Sequence, residues 1–357
     1  MPICVMERSD MIKEAIDKLT KREGLSFEET KEIFEDIFSR KATPSQVSAF
    51  LVALKMKGES EDEILAAATV VRRLAKKVSV KSNFVGIELE DEQVLDTCGT
   101  GGSGVNKFNV STAVSFIVAA AGIKVAKHGN RAMSSSCGSA DVLEALGIKI
   151  DVEPSIMVES IKATGIGFLY APLYHPVLAE VAAIRKEIGV RTIFNILGPL
   201  CNPAFATHQV LGVYRKELVK PIAAVLKKLG VKYAFVVYSK DLKDEVSLGA
   251  ETVAAQLSNQ KIKNFCLKPS DFGLKKVSIK DIEVKNAVSS AKLINDVLDG
   301  KKLPARDVVL ANASCCFYLL GKSATFKEGV KLAAGLIDSG RAKNKLEEFK
   351  NFIKSYK

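Results

Sequence analysis

The period of the apolar residues changes twice along the chain. From Ser9 to about Val80 it is helical: Val47, Phe50, Leu51 and Leu54 fall at i, i+3, i+4 and i+7, and Ile64, Leu65, Ala68 and Val71 trace a similar stripe. Three capping boxes start helices there, Ser26 with Glu29, Thr43 with Gln46 (Pro44 in the first turn) and Ser60 with Glu63. The stretch from Val78 to Glu92 keeps no helical period and ends in acids, which reads as a linker.

Beyond it, short apolar runs alternate with helical segments. Val94-Leu95 leads into a glycine-rich loop and a helix over Ala113–Ala121, and a second apolar run covers Ile123–Ala126. Then come a helix from Pro154, a strand over Ile166–Tyr170, a helix from Pro176, a strand over Gln209–Tyr214, a helix from Lys216 and a strand over Tyr233–Tyr238. Strand and helix in turn predict a mostly parallel sheet flanked by helices. Thr252–Leu257 and Lys261–Leu267, separated by a short polar turn, predict a hairpin at the sheet edge, and from Ser289 onward the pattern is helical again. The expected fold class is α/β: a small all-helical subdomain over residues 1–80 and a large α/β domain over 81–357.

Around the first strand lies Asp96-Thr97-Cys98-Gly99-Thr100-Gly101-Gly102-Ser103-Gly104, with Asn109-Val110-Ser111-Thr112 following. Glycines let backbone N–H groups turn toward a ligand, and the helix start behind them adds partial positive charge, so the segment reads as an anion cradle. It satisfies G-x-G-x-x-G, but a dinucleotide fold requires an acid about 20 residues later. No Asp or Glu occurs from Thr97 to Ala140, where the only charged residues are Lys107, Lys124, Lys127 and Arg131. A P-loop is excluded as well, because Val105-Asn106 follows Gly104. Asn109, Ser111 and Thr112 could reach phosphate or metal, or simply cap the helix.

Composition narrows the class. The chain has 357 residues, 47% of them apolar, which is ample for a core. Its net charge of +11 is dispersed among 41 acids, so a small polyanion fits at least as well as nucleic acid, which is disfavoured as a partner. Seven scattered cysteines form no disulfide framework or zinc spacing, and a reducing compartment is expected. With no signal segment or long apolar run in the sequence, no membrane association and a cytoplasmic location are expected.

A second cluster, Lys127-His128-Gly129-Asn130-Arg131 followed by Ser134–Ser139, gathers cations and small polar residues where a strand should end. With it, the motifs GTGG-x-G, N-x-S-T, KHGNR, GSADVLEALG, IRKEIGVRTIFNILGPLCNP and DEVSLGAETV stand in order along nearly the whole chain. In these the chain resembles the anthranilate phosphoribosyltransferase family. The resemblance implies a nucleoside phosphorylase/phosphoribosyltransferase-like fold, with helices around 176–197 joining the helical subdomain, and a homodimer through that subdomain. It implies transfer of a phosphoribosyl group from 5-phosphoribosyl 1-pyrophosphate to anthranilate in tryptophan biosynthesis, with Mg2+. The donor would lie on Gly99, Thr100, Gly101, Gly102, Ser103, Asn109, Ser111, Thr112, Lys127 and Ser139, and anthranilate on Gly99, His128, Asn130, Arg185 and Pro199. The metal would be held by Ser111, Asp244 and Glu245. The family has Asp where this chain has Ser103.

The residues suit that chemistry. Displacing pyrophosphate from ribose C1 passes through an oxocarbenium-like state, so holding the leaving group with amides, cations and magnesium suffices, and no covalent nucleophile is expected. Asp244-Glu245, a few residues beyond the strand over Tyr233–Tyr238, fits a hard cation, or is a solvated charged loop beside Lys240 and Lys243. Arg185 offers a fork to an aromatic carboxylate, or is an ordinary residue in a charged helix, and His128 could merely satisfy a backbone group. Competing readings are a pyrimidine nucleoside phosphorylase, whose glycine loop differs and which lacks the DE motif, and a catalytically silent paralogue that binds nucleic acid.

Overall fold

The computed structural model describes residues 8–79, 92–102, 104–132 and 137–356. Ser103, Ser134–Ser136, the expected domain boundary at 80/81 and most of the expected linker lie outside the described residues.

The N-terminal region is helical, with α1 (Arg8–Thr20), α2 (Phe27–Phe38), α3 (Pro44–Lys57) and α4 (Glu61–Leu74). All three capping boxes form as read, with Ser26, Thr43 and Ser60 each accepting from the backbone N–H of the third helical residue. Glu63 also ties the bundle together. It is fully buried and accepts from the backbone N–H groups of Ser60 (2.7 Å) and Leu25 (3.0 Å) and from the Lys57 ammonium (2.8 Å).

The sheet has seven strands: β1 (Val94–Gly99), β2 (Lys124–Gly129), β3 (Ile166–Tyr170), β4 (His208–Gly212), β5 (Tyr233–Ser239), β6 (Thr252–Ser258) and β7 (Lys261–Leu267), in the order β3-β2-β1-β4-β5-β6-β7. The pairs from β3 to β5 are parallel, and β6 and β7 add antiparallel strands at one edge. The β6–β7 turn holds Asn259 and Gln260 at φ 46° and 64°, the positive-φ pair of a tight hairpin that follows strand twist. The helix expected from Pro176 is a 3-10 segment, Pro176–Val181, followed by an α-helix over Ala182–Ile188. That expected from Lys216 likewise starts as 3-10 over Lys216–Leu218 before Val219–Lys228.

Alternation along each strand divides the interior into two cores. On β5, Phe235 and Val237 face a core shared with α5 (Val110–Ala120) and the C-terminal helices, while Ala234 and Val236 face one shared with the N-terminal bundle. Phe194 lies 5.8 Å from Phe34 and 6.2 Å from Phe38, ring centre to ring centre, so the segment after Arg185 is packed into that bundle. The chain runs outward through β1, β2 and β3, then returns to place β4 on the other side of β1. Such a reversal leaves a crevice at the carboxyl ends of β1 and β4, the place where open α/β sheets bind ligands.

Candidate active site

A cavity of about 270 Å³ occupies that crevice. Its floor is the loop after β1, where Gly101, Gly102 and Gly104 stand at φ 67°, 63° and 71° and so turn successive backbone N–H groups to one side. The loop is fastened to β4, since the Thr100 N–H donates to the Gly212 carbonyl (2.9 Å) and the Tyr214 N–H donates to the Thr100 hydroxyl (3.1 Å). Arg191 donates to the Gly102 carbonyl while its guanidinium lies 4.9 Å over the Tyr214 ring.

Asn109 precedes α5 but does not cap it with its side chain. Its Oδ1 instead accepts from the Ser290 hydroxyl (2.9 Å) and the Cys137 thiol (3.0 Å), which holds the residue on the cavity wall. Ser111 also lines the cavity, and the Lys127 ammonium donates to its hydroxyl (3.1 Å) and to the Thr97 carbonyl. Thr112 does not line the cavity; it is fully buried in α5.

Asp244 and Glu245, from the loop after β5, close the same end. Asp244 is pressed against two strand ends: a Cβ at Gly99 would stand 2.7 Å from its Oδ2, and one at Gly212 would stand 1.8 Å from its carbonyl oxygen. Its Oδ1 is ion-paired with Lys107 at 2.6 Å, both side chains about nine-tenths buried. Burial pushes the Glu245 carboxyl above its ordinary range, against the opposing pull of Lys107. Burial lowers the Lys127 ammonium, whereas Lys107 is raised because the pull of Asp244 and Glu245 outweighs its own desolvation. Lys107 and Lys127 thus face Asp244 and Glu245 across one wall, two basic and two acidic side chains.

The other end of the cavity is apolar and aromatic with few charges. Arg185, half-buried on the helix over Ala182–Ile188, holds its guanidinium 5.2 Å over the Phe194 ring, and desolvation lowers its pKa. His128 donates from Nδ1 to the Gly198 carbonyl (3.0 Å), and its ring lies 5.0 Å from that of His175. Burial pushes the two rings down to about 3 and about 4, so both are neutral at physiological pH. The buried Nε2 of His128 has no hydrogen-bond partner among the described residues, and with Nδ1 donating it is an acceptor. Asn130 and Pro199 complete this end, while Ser139 sits between the two halves, with its hydroxyl against the Cα of Gly129.

Of the residues expected from sequence, Gly99, Thr100, Gly101, Gly102, Asn109, Ser111, Lys127, His128, Asn130, Ser139, Arg185, Pro199, Asp244 and Glu245 all line this cavity. Lys107, Arg191, Gly212 and His175 were not singled out. Lys107 showed only as one of four cations in a segment free of acids, and Arg191 lay unremarked inside IRKEIGVRTIFN. Cys98, Cys137 and Cys201 are on the wall as well, and burial pushes the thiols of Cys98 and Cys201 up, Cys201 to about 12, which keeps them protonated.

Among the described residues, no group of three or more His, Cys, Asp or Glu gathers as for a transition metal. Two adjacent carboxylates pinned beside an anion cradle instead suit a hard cation that takes its remaining ligands from phosphates and water. No helix among the described residues is long and apolar enough to cross a membrane.

A helical bundle thus stands beside an α/β domain that carries an anion cradle at its switch point. Residues 91–343 match the glycosyl transferase family a/b domain and residues 13–75 the helical bundle domain of the same family. The chain is 49% identical over 345 residues, covering 95% of it and 99% of the relative, to anthranilate phosphoribosyltransferase of Geotalea daltonii. The crystal structure of anthranilate phosphoribosyltransferase from Thermus thermophilus superimposes with a TM-score of 0.86 at 37% identity, covering 95% of this chain and 99% of that one. The Saccharomyces cerevisiae enzyme, solved in complex with PRPP and Mg, gives a TM-score of 0.86 at 29% identity over 97% and 98% of the two chains. Its complex with 4-fluoroanthranilate gives 0.84 at 28% over 98% and 99%. The chain belongs to the anthranilate phosphoribosyltransferase family.

Proposed function

We infer that this enzyme transfers the phosphoribosyl group of 5-phosphoribosyl 1-pyrophosphate to the amine of anthranilate, giving N-(5-phosphoribosyl)anthranilate and pyrophosphate, in tryptophan biosynthesis. The observation that carries the reading is the polarity of one cavity: a glycine cradle with paired charges at one end, and Arg185, Phe194 and neutral histidines at the other.

Each end has its task. The amides of Gly101 and Gly102, the end of α5 and the Lys127 ammonium hold phosphate oxygens and take up charge as pyrophosphate departs. Asp244 and Glu245, with the Ser111 hydroxyl between them and the helix, would hold Mg2+, which when bound neutralises charge on the leaving group. Arg185 pairs with the anthranilate carboxylate, and Asn130 and Pro199 shape the walls around the ring. The His128 Nε2 lone pair accepts an N–H of the anthranilate amine and turns the nitrogen lone pair toward ribose C1. Attack of that nitrogen on C1 breaks the bond to pyrophosphate, which leaves with the bonding pair, and the extra proton of the amine passes to water.

The apolar groove between α1 and α3, lined by Ile16, Leu19, Ala49, Val52 and the exposed Met56, supports a homodimer through the helical bundle. A cytoplasmic location suits such a biosynthetic role, and we keep the expected division between a helical subdomain and an α/β domain at about residue 80 as part of this proposal. The test is product analysis. Incubation with anthranilate, the donor and Mg2+ should yield equal amounts of phosphoribosylanthranilate and pyrophosphate. Release of free base from a pyrimidine nucleoside and phosphate, without that product, would assign the cavity to a nucleoside phosphorylase.

A further inference from the structure

The Lys107–Asp244 pair occupies a carboxylate that the donor site needs. Their 2.6 Å contact is nine-tenths buried, and Lys107 reaches it from the segment between the glycine loop and α5, 137 residues away in sequence. The two partners differ in freedom. Asp244 is held by its backbone, because Gly99 and Gly212 leave no room around it. Lys107 is anchored through its main chain, in a bridge to Glu283, and carries its ammonium on a flexible four-carbon stem. When a cation and a pyrophosphate enter, the ammonium is therefore the group that moves.

We propose that Lys107 is a resident counter-cation for Asp244, which the incoming metal displaces and which then pairs with a pyrophosphate oxygen of the donor. This rests on the reading of Asp244 and Glu245 as the metal carboxylates. Two consequences follow from the charges. Without donor, a divalent cation must break a buried ion pair and leave the ammonium beside it, so it binds weakly. With donor, pyrophosphate gives the cation extra ligands and gives Lys107 a new partner, so metal and donor strengthen each other's binding by the same factor. Lys107 is thus a donor-binding residue that couples metal to donor.

The probe is Mn2+, a hard cation taken by the same oxygen ligands, with free ion counted by electron paramagnetic resonance. Binding is titrated on the full-length protein with and without 5-phosphoribosyl 1-pyrophosphate, with Mn2+ binding to the donor alone subtracted. In Lys107→Gln, whose amide still hydrogen-bonds Asp244, or in the apolar Lys107→Met should Gln unfold, donor-free Mn2+ binding should tighten about tenfold, and the gain on adding donor should shrink by a similar factor. Lys107→Arg, which keeps the cation, should bind Mn2+ as the parent does. Equal donor-free affinity and equal coupling in parent and neutral variant would overturn the role of Lys107. Absence of Mn2+ binding to any of them, even with donor, would overturn the metal reading itself, and the inference with it.

Discussion

Gly212 and Asp244 touch backbone to backbone: a single methyl group on the glycine would stand 1.8 Å from the Asp244 carbonyl oxygen and 2.3 Å from its carbonyl carbon. The end of β4 therefore sets the height at which the acidic loop crosses the cavity. Gly212→Ala must push that loop outward, and a displacement of about 1 Å at a catalytic centre costs on the order of 100-fold in rate. Turnover should fall by roughly that factor, with a higher Mg2+ concentration for half-maximal rate. A variant with parental kinetics would show that the loop position is slack.

The two acids should separate in stability though not in function. Asp244→Asn strands the buried Lys107 ammonium, and removing one partner of a buried pair costs roughly 3–5 kcal/mol. Glu245→Gln replaces a carboxyl that burial already drives toward its neutral form, so metal-free stability should hold or rise. Both should raise the Mg2+ requirement and lower turnover. Urea unfolding without metal separates them, and equal losses of stability would contradict the charge pairing described here.

For Arg185→Ala the expected change is confined to the acceptor: KM for anthranilate rises by about 100-fold, as for loss of a buried charged partner, and KM for the donor stays within about twofold. Arg185→Lys should recover only part of the loss, since an ammonium lacks the two-pronged fork. Steady-state kinetics with each substrate varied in turn is the check, and a donor-side defect would move Arg185 to the other half of the cavity.

Stability should fall with acid, and the histidines give the window. Burial pushes His128, His175 and His208 down to about 3, 4 and 4, against about 6.5 in the unfolded chain. Their contribution is fully present above pH 6.5 and is lost as pH falls toward 4, because the unfolded state takes up protons that the folded state refuses. These are all 3 histidines of the chain, so the slope should approach about 4 kcal/mol per pH unit near pH 5, partly offset by Glu245, which favours its protonated form in the fold. Urea midpoints measured from pH 7 to 4.5 test this, and a flat profile would mean that these rings are protonated in the native state.

Much of this was legible because local pattern and tertiary role coincided. The strand over Ile166–Tyr170 formed at those residues, and the β6–β7 hairpin formed around its polar turn, since apolar runs bounded by turn residues have few alternatives. Nearly all the expected cavity residues converged because the motifs carrying them end parallel strands or begin the helices that follow. What stayed hidden were relationships with no local signature. Nothing near Lys107 announces an acid 137 residues away. Arg191 acts on a backbone carbonyl, which no side-chain motif encodes, and Gly212 matters only through what lies over it. Thr112 follows Ser111 in N-x-S-T, yet one residue further along a helix turns a side chain by about 100°, and here its side chain is fully buried and does not line the cavity.

The most direct measurement of the central reading follows anthranilate by its fluorescence. With anthranilate and Mg2+ present, fluorescence should stay constant until 5-phosphoribosyl 1-pyrophosphate is added, then decay at a rate proportional to enzyme, and it should stop when the metal is chelated. No decay at micromolar enzyme with both substrates and Mg2+ present would contradict the assignment of this cavity to phosphoribosyl transfer onto anthranilate.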